Sequence, residues 1–240
     1  AGTYTPRPRQ DPAVKDGKAA LRRILDQAPF DDEVDIWEAS PLRVWDPPKD
    51  HAALLLSVLY APDDLVFIGE RYGDGILGDT IRPVSEWIRY FQDGGKTGPH
   101  IIVNPLDGIP RPKKDGSGDT LRGDANVREY RYCVVEFDDL GREDQIRFWS
   151  AARLPIVALI DSGNKSIHAW LQVSKLARVR TLDEWDEQIK LRLYEKLLIP
   201  LGVDPQCKNA SRLSRLPGHF RSEKNSMQRL LWLSNEGRSV

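Results

Sequence analysis

Cysteine is scarce: the 240-residue chain has two, Cys133 and Cys207, far apart and without a Cys-x-x-Cys pair. That argues against a zinc ribbon and fits a reducing cytosol, so the sequence predicts a cytoplasmic protein. Net charge is scarce as well, at −1. The molecule as a whole carries no polycation signature, and any nucleic-acid surface has to be local. No apolar run approaches the ~20 residues of a membrane span. The longest, residues 52–61, reads as a buried helix, and the start lacks a signal-peptide hydrophobic region. Internal repeats, a Walker loop, a zinc-hydrolase motif and the His-apolar-His pair of a rolling-circle relaxase are all missing. What remains, 40% hydrophobic and 30% charged residues, is ordinary for a globular chain long enough to bury a sizeable core.

Read in order, the first ten residues, with Pro6, Arg7, Pro8 and Arg9, form a solvated arm. Asp11-Pro12 opens a helix, and Asp50 is placed to cap another over 51–61. A short strand at 65–68 is closed by a glycine-rich turn at 73–78. A helix at 83–91 follows, with Val84, Trp87, Ile88 and Phe91 on one side. After a strand at 100–105 comes the hydrophilic segment 106–126, which reads as a long mobile loop. Strands are then expected at 133–138, 156–160 and 166–173, the last two joined as a hairpin by Ser162-Gly163-Asn164-Lys165. A helix at 142–152 separates the first two. Thr181 to Glu184 is a capping box opening a further helix, with Trp185, Ile189, Leu193 and Leu197 inward. From residue 203 to 229 the chain turns basic, with Lys208, Arg212, Arg215, Arg221, Lys224 and Arg229 against Glu223. This order predicts an α+β fold. Its core is an RRM-like antiparallel sheet over 96–240, with helices on one face and a working surface on the other. A helical or mixed N-terminal subdomain, 1–95, packs beside it.

The chemistry concentrates where polar residues share a strand face. Successive side chains point to opposite faces, so Glu136 and Asp138 lie together, opposite Val135 and Phe137. Ser166, His168 and Gln172 likewise oppose Ile167, Ala169, Leu171 and Val173. Two carboxylates roughly 6–7 Å apart at Cα can hold Mg²⁺ or Mn²⁺, the ions that two-metal phosphoryl transfer uses. The same acids also suit the solvated edge of a strand. Asp204 offers a third carboxylate, or an ordinary Val-Asp-Pro turn. His168 can donate to a triphosphate oxygen, with Ser166 beside it and Gly163, Asn164 and Lys165 supplying N–H groups and a cation. Its alternative is a partly buried histidine bonded to a neighbour. Arg212 and Arg215, three apart, would face the same way on a helical turn, and their guanidinium forks suit phosphate; the alternative is a solvated basic face. Lys113 and Lys114 on the 106–126 segment, with Lys208 and Arg221 on the basic stretch, are candidate DNA contacts.

Together these pieces resemble the archaeo-eukaryotic primase (AEP) superfamily, in its plasmid and phage primase-polymerase branch, over residues 64–220. Val-Val-Glu136-Phe-Asp138 matches the family's strand ending in acid-x-acid. Ser162 to His168 matches its Ser-Gly turn leading to Ser-x-His. Asp204 matches its lone acid, and Arg212 to Gly218 its Arg-Leu-x-Arg-Leu-Pro-Gly run. The resemblance implies template-directed synthesis or extension of primers on single-stranded or primed DNA from NTP or dNTP. Glu136, Asp138 and Asp204 would hold two Mg²⁺ or Mn²⁺ ions, and Lys165, Ser166, His168, Arg212 and Arg215 the incoming nucleotide. It also implies a helicase domain or subunit as a partner. Glu136 departs from the Asp found in many relatives. Cys133, Cys207, His100 and His219 lack the spacing of the zinc module many primases carry, so no zinc is expected. Two rivals keep the same residues: an inactive RRM-like nucleic-acid module, whose sheet would usually show stacking aromatics, and a two-metal nuclease, which needs no triphosphate-binding Ser-x-His.

Overall fold

The computed structural model describes residues 12–45, 47–113 and 115–240. The expected N-terminal arm, the Asp11 cap and Lys114 lie outside the described residues. Helix α1 (Pro12–Leu25) is followed by α2 (Glu33–Glu38), whose Asp32 cap accepts from the Val34 N–H at 2.9 Å. α3 (His51–Leu59) buries Leu55, Leu56 and Leu59, and Asp50 stands at its cap position without making a side-chain cap bond. Next come β1 (Leu65–Gly69), β2 (Ile81–Pro83), α4 (Val84–Gln92) and β3 (His100–Ile102). A small ribbon, β4 (Arg111–Pro112) with β5 (Asp119–Thr120), precedes β6 (Tyr132–Val135), α5 (Arg142–Ala151), β7 (Ile156–Asp161) and β8 (Ile167–Gln172). α6 (Leu182–Glu184) continues into Trp185–Leu198, which is wound as a π-helix. β9 (Leu213–Arg215), the ribbon β10 (Phe220–Arg221) with β11 (Ser226–Met227), and the long β12 (Arg229–Arg238) complete the fold.

Two four-stranded antiparallel sheets organise these elements, in the orders β2-β1-β3-β9 and β12-β7-β8-β6. With helices segregated from antiparallel sheets, the molecule is α+β. The division drawn at residue 95 runs through the first sheet, because Ile68 and Gly69 of β1 pair with Ile101 and His100 of β3.

The second sheet differs from expectation in having two covered faces. Ile167, Ala169 and Leu171 of β8 pack with Phe148 and Trp149 of α5 and with Trp185 and Ile189. On the opposite face Val134, Ala158, Ile160 and Trp170 pack with Leu55, Val66, Ile101 and Val103, from α3 and the first sheet. Alternation around His168 suggested a solvated face, but its own face continues into Trp170, Val134 and Ile160, all fully buried. Removing each such side chain from water contributes about 1.5–3 kcal/mol, which is why this face is covered rather than left open. At one end of this sheet Glu136, just past β6, and His168 of β8 line a cavity.

Two local expectations also change. Segment 106–126 is a built element rather than a bare loop. Leu106 is fully buried, and the Asn126 side chain donates to the carbonyls of Ile109 (2.7 Å) and Thr120 (3.2 Å) while accepting from the Gly123 N–H. Its polar residues satisfy backbone groups, which composition alone does not reveal. Along 185–198 Trp185, Ile189 and Leu193 are buried as expected, but the wider pitch of the π-helix adds Tyr194 and Leu198 to the buried stripe and leaves Leu197 52% exposed. Among the described residues no helix is long and apolar enough to cross a membrane.

Candidate functional site

β6 ends at Val135, and the two acids follow directly: Glu136 is buried against the core edge and Asp138 is exposed. The alternation expected for a strand persists past its last ladder bond, since Phe137 is fully buried. β8 brings His168 alongside. The turn between β7 and β8 is held by Ser162 N–H donating to Ser166 O (3.0 Å) and Gly163 N–H donating to the Asp161 carboxylate (2.9 Å). Gly163 has φ 68° there, and the Met227 carbonyl lies 3.1 Å from where a Cβ would sit, so a side chain would be both strained and crowded. Asp204 is tied to the same strand end, its N–H donating to the Glu136 carbonyl (2.9 Å). β9 then lays Arg212 and Arg215 beside these groups by pairing with β3. In place of the expected helical turn, Arg212 immediately precedes β9 and Arg215 ends it, and tertiary pairing rather than i, i+3 spacing brings them to one place.

Glu136 is the hub. One oxygen is 2.8 Å from His168 Nε2 and the other accepts from Arg212 Nη2 at 2.6 Å; the same nitrogen is 3.4 Å from Asp204 Oδ2. Burial would raise the Glu136 pKa, but His168 and Arg212 outweigh it and hold the carboxyl well below the usual range. Asp138 goes the other way. Partial burial and the charges of Asp204 and Glu136 raise its pKa. His168 has both ring nitrogens engaged, because Nδ1 lies 3.2 Å from Ser214 Oγ, a hydroxyl that also accepts from Trp170 Nε1. Cys207 Sγ donates to Glu136 at 3.4 Å, and burial pushes its thiol pKa far up.

Eighteen residues line one cavity of about 630 Å³ at this point. It gathers Glu136, Asp138, Asp204, Lys165, Ser166, His168, Arg212, Arg215 and Arg221 from the sequence-based set. Lys165 is exposed and donates to the Asp138 carbonyl. Two DNA candidates fall elsewhere: Lys208 pairs with Glu195 at 3.1 Å, and Lys113 lines an adjoining cavity. Arg71, Arg122 and His100 are additions that sequence reading missed. His100 is pushed down to about 3 by burial and the Arg215 charge, so it is neutral, and its buried Nδ1 has no hydrogen-bond partner. No spacing signal links it to Arg215; only the β3–β9 register does.

For a metal, the donor atoms of Glu136, Asp204 and Cys207 lie within 4.8 Å of one another, and Asp138 opens on the same cavity. Carboxylate oxygens suit a hard divalent cation, whereas a thiol held protonated does not coordinate. The Arg212 guanidinium lies between Glu136 and Asp204, so a divalent cation held by these two acids would take its place. The residues present fit Mg²⁺ or Mn²⁺.

No family model and no curated protein matches the chain. Among solved structures it is similar to the AEP domain of the cyanophage S-2L primase-polymerase (PrimPol), at 17% sequence identity and a TM-score of 0.47, over 79% of this chain and 93% of that one.

Proposed function

We propose that the chain is a nucleotidyltransferase of the primase-polymerase kind, adding nucleotides to a primer on a single-stranded DNA template. The observation that carries this reading is one cavity with acids and cations set apart in role. Glu136, Asp138 and Asp204 supply the oxygens, and Lys165, Ser166, Arg215 and Arg221 surround them with phosphate-binding groups. Glu136, Asp138 and Asp204 would hold Mg²⁺ or Mn²⁺, which when bound activates the attacking oxygen and neutralises the leaving group. The Ser162–Ser166 turn and Lys165 offer N–H groups, a hydroxyl and a cation to the triphosphate. Arg212 and Arg215 bring guanidinium forks to the same phosphates. His168, bonded to Glu136 on one side and facing Ser214 on the other, orients that carboxylate.

The test is incubation with a primed single-stranded template, Mg²⁺ or Mn²⁺, and each set of ribo- and deoxynucleotides. Primer extension that disappears in a folded Glu136→Gln/Asp138→Asn double variant is the expected result. Template degradation would point to a nuclease instead. Neither extension nor degradation would leave an inactive nucleic-acid module.

A further inference from the structure

The turn after β1 and the β4–β5 ribbon enclose a second cavity, also of about 630 Å³. It adjoins the acid-lined one, since Arg71 and Arg122 line both. Arg122 builds the wall between them. Its guanidinium sits 4.0 Å over the Phe67 ring and donates to the carbonyls of Glu70 (3.3 Å), Arg71 (2.8 Å) and Gly73. Three carbonyls bound by one cation fix the backbone of this glycine-rich turn, and the two side chains at its apex are turned outward. Tyr72 is 89% exposed, with the Arg71 guanidinium 5.4 Å from its ring centre. Arg71 forms no ion pair among the described residues, and its charge is felt in the first cavity, where it lowers the pKa of Arg215 and His100. Lys113 lines the same trough from the end of β4.

An open aromatic face beside an uncompensated cation suits a particular kind of ligand. Bases stack on such rings without regard to sequence, and the phosphates between them meet the cations. We propose that the Tyr72 trough seats single-stranded nucleic acid, the strand passing over Arg71 toward the acid-lined cavity. The chemistry of the seat is independent of catalysis; its role in delivering a template rests on the function proposed above.

Fluorescence anisotropy with a labelled single-stranded oligonucleotide tests it. Tyr72→Ala weakens binding about five- to a hundredfold, while Tyr72→Phe, which keeps the ring, stays within about twofold of the parent. Arg71→Gln lowers the slope of log affinity against log salt by about 0.7, one phosphate contact on a single strand. Thermal melting is unchanged in all three, because both side chains are exposed. Unchanged affinity in Tyr72→Ala, or a loss in Tyr72→Phe equal to that in Tyr72→Ala, overturns the proposal. Primer extension by the parent, run alongside, separates the two ideas. Extension together with parental oligonucleotide binding by Tyr72→Ala removes the trough and leaves the polymerase. Loss of binding in Tyr72→Ala without any parental extension supports the trough and removes the polymerase.

Discussion

Glu33, Asp161, Arg142 and Arg229 form one ion-paired quartet; Glu136, Asp204, Arg212 and His168 form another. In the first, Arg142 reaches Glu33 at 2.6 Å and Asp161 at 3.0 Å, and Arg229 reaches the same two acids at 2.7 and 3.1 Å. Each acid meets two cations, and the ring closes on itself, tying α2 to α5, β7 and β12. In the second quartet Glu136 is doubly paired, Asp204 meets Arg212 at 3.4 Å, and Asp138 stands close by with its carboxyl raised by the two acids. One network ends in balance and the other ends in an unmet carboxylate facing a cavity. Composition is nearly the same in both, so it is the pairing count at the cavity edge that separates a brace from a site.

Substitutions should separate the two sharply. Glu136→Gln is expected to lower nucleotide incorporation by about a thousandfold or more, as loss of several kcal/mol of metal-borne stabilisation requires. Glu33→Gln should leave the rate unchanged, and a primer-extension time course reads both. His168→Ala comes next. Losing a group that holds a ligand in place typically costs about 10–100-fold in metal affinity, so the half-saturating Mn²⁺ concentration should rise by that factor while nucleotide KM moves less. The reverse pattern would return His168 to the direct triphosphate contact expected from sequence.

Smaller effects concern stability. Glu33→Gln should cost about 1–2 kcal/mol, allowing for solvent screening of partly exposed partners, or about 2–8 °C in Tm. Burial works against the Glu33 charge, but Arg142 and Arg229 outweigh it and hold the carboxyl below its ordinary 4.5. A depressed folded-state pKa stabilises above the unfolded value and is lost as pH falls through the folded one. The Tm gap between parent and variant should therefore close on acidification below about pH 4.5, followed by melting across a pH series. Asp138→Asn should do the opposite on a smaller scale. Its pKa is raised above 3.8 by burial and neighbouring acids, so ionisation is penalised in the folded state. At pH 7 the variant should melt slightly higher, within about 2 °C, with the gain fading toward pH 4 and incorporation lost.

Much of the site was legible because its pieces are local. Glu136-x-Asp138, the Gly163 turn with Ser166-x-His168, and Asp204 each declare themselves within a few residues, and alternation places their faces. The contributions of Arg71, Arg122 and His100 were not legible, since Arg71 and His100 are placed by β1–β3 and β3–β9 pairing and Arg122 by its bonds to the carbonyls of Glu70, Arg71 and Gly73, all between distant segments. The Lys208 ion pair was hidden for the converse reason: a basic stretch says nothing of Glu195, which lies 3.1 Å from it. The fold class followed from the order of elements. The covered second face did not, because His168 stood out more than Trp170 two residues on, and the ring of Trp170 decides which side is buried.

β9 is three residues long, yet it closes the edge of the first sheet and sets Ser214 against His168 and Trp170. As a chain leaves the ribosome, β6 and β8 emerge well before it. For that interval the Glu136 and His168 strands exist without Arg212, Arg215 or Ser214. Pairing across so long a separation waits for the loop between to close, which makes it late as well as slow. The acid-lined cavity is thus among the last parts of the molecule to be assembled, and nascent chains that stop short of residue 213 carry the acids without Ser214 and Arg215 of β9.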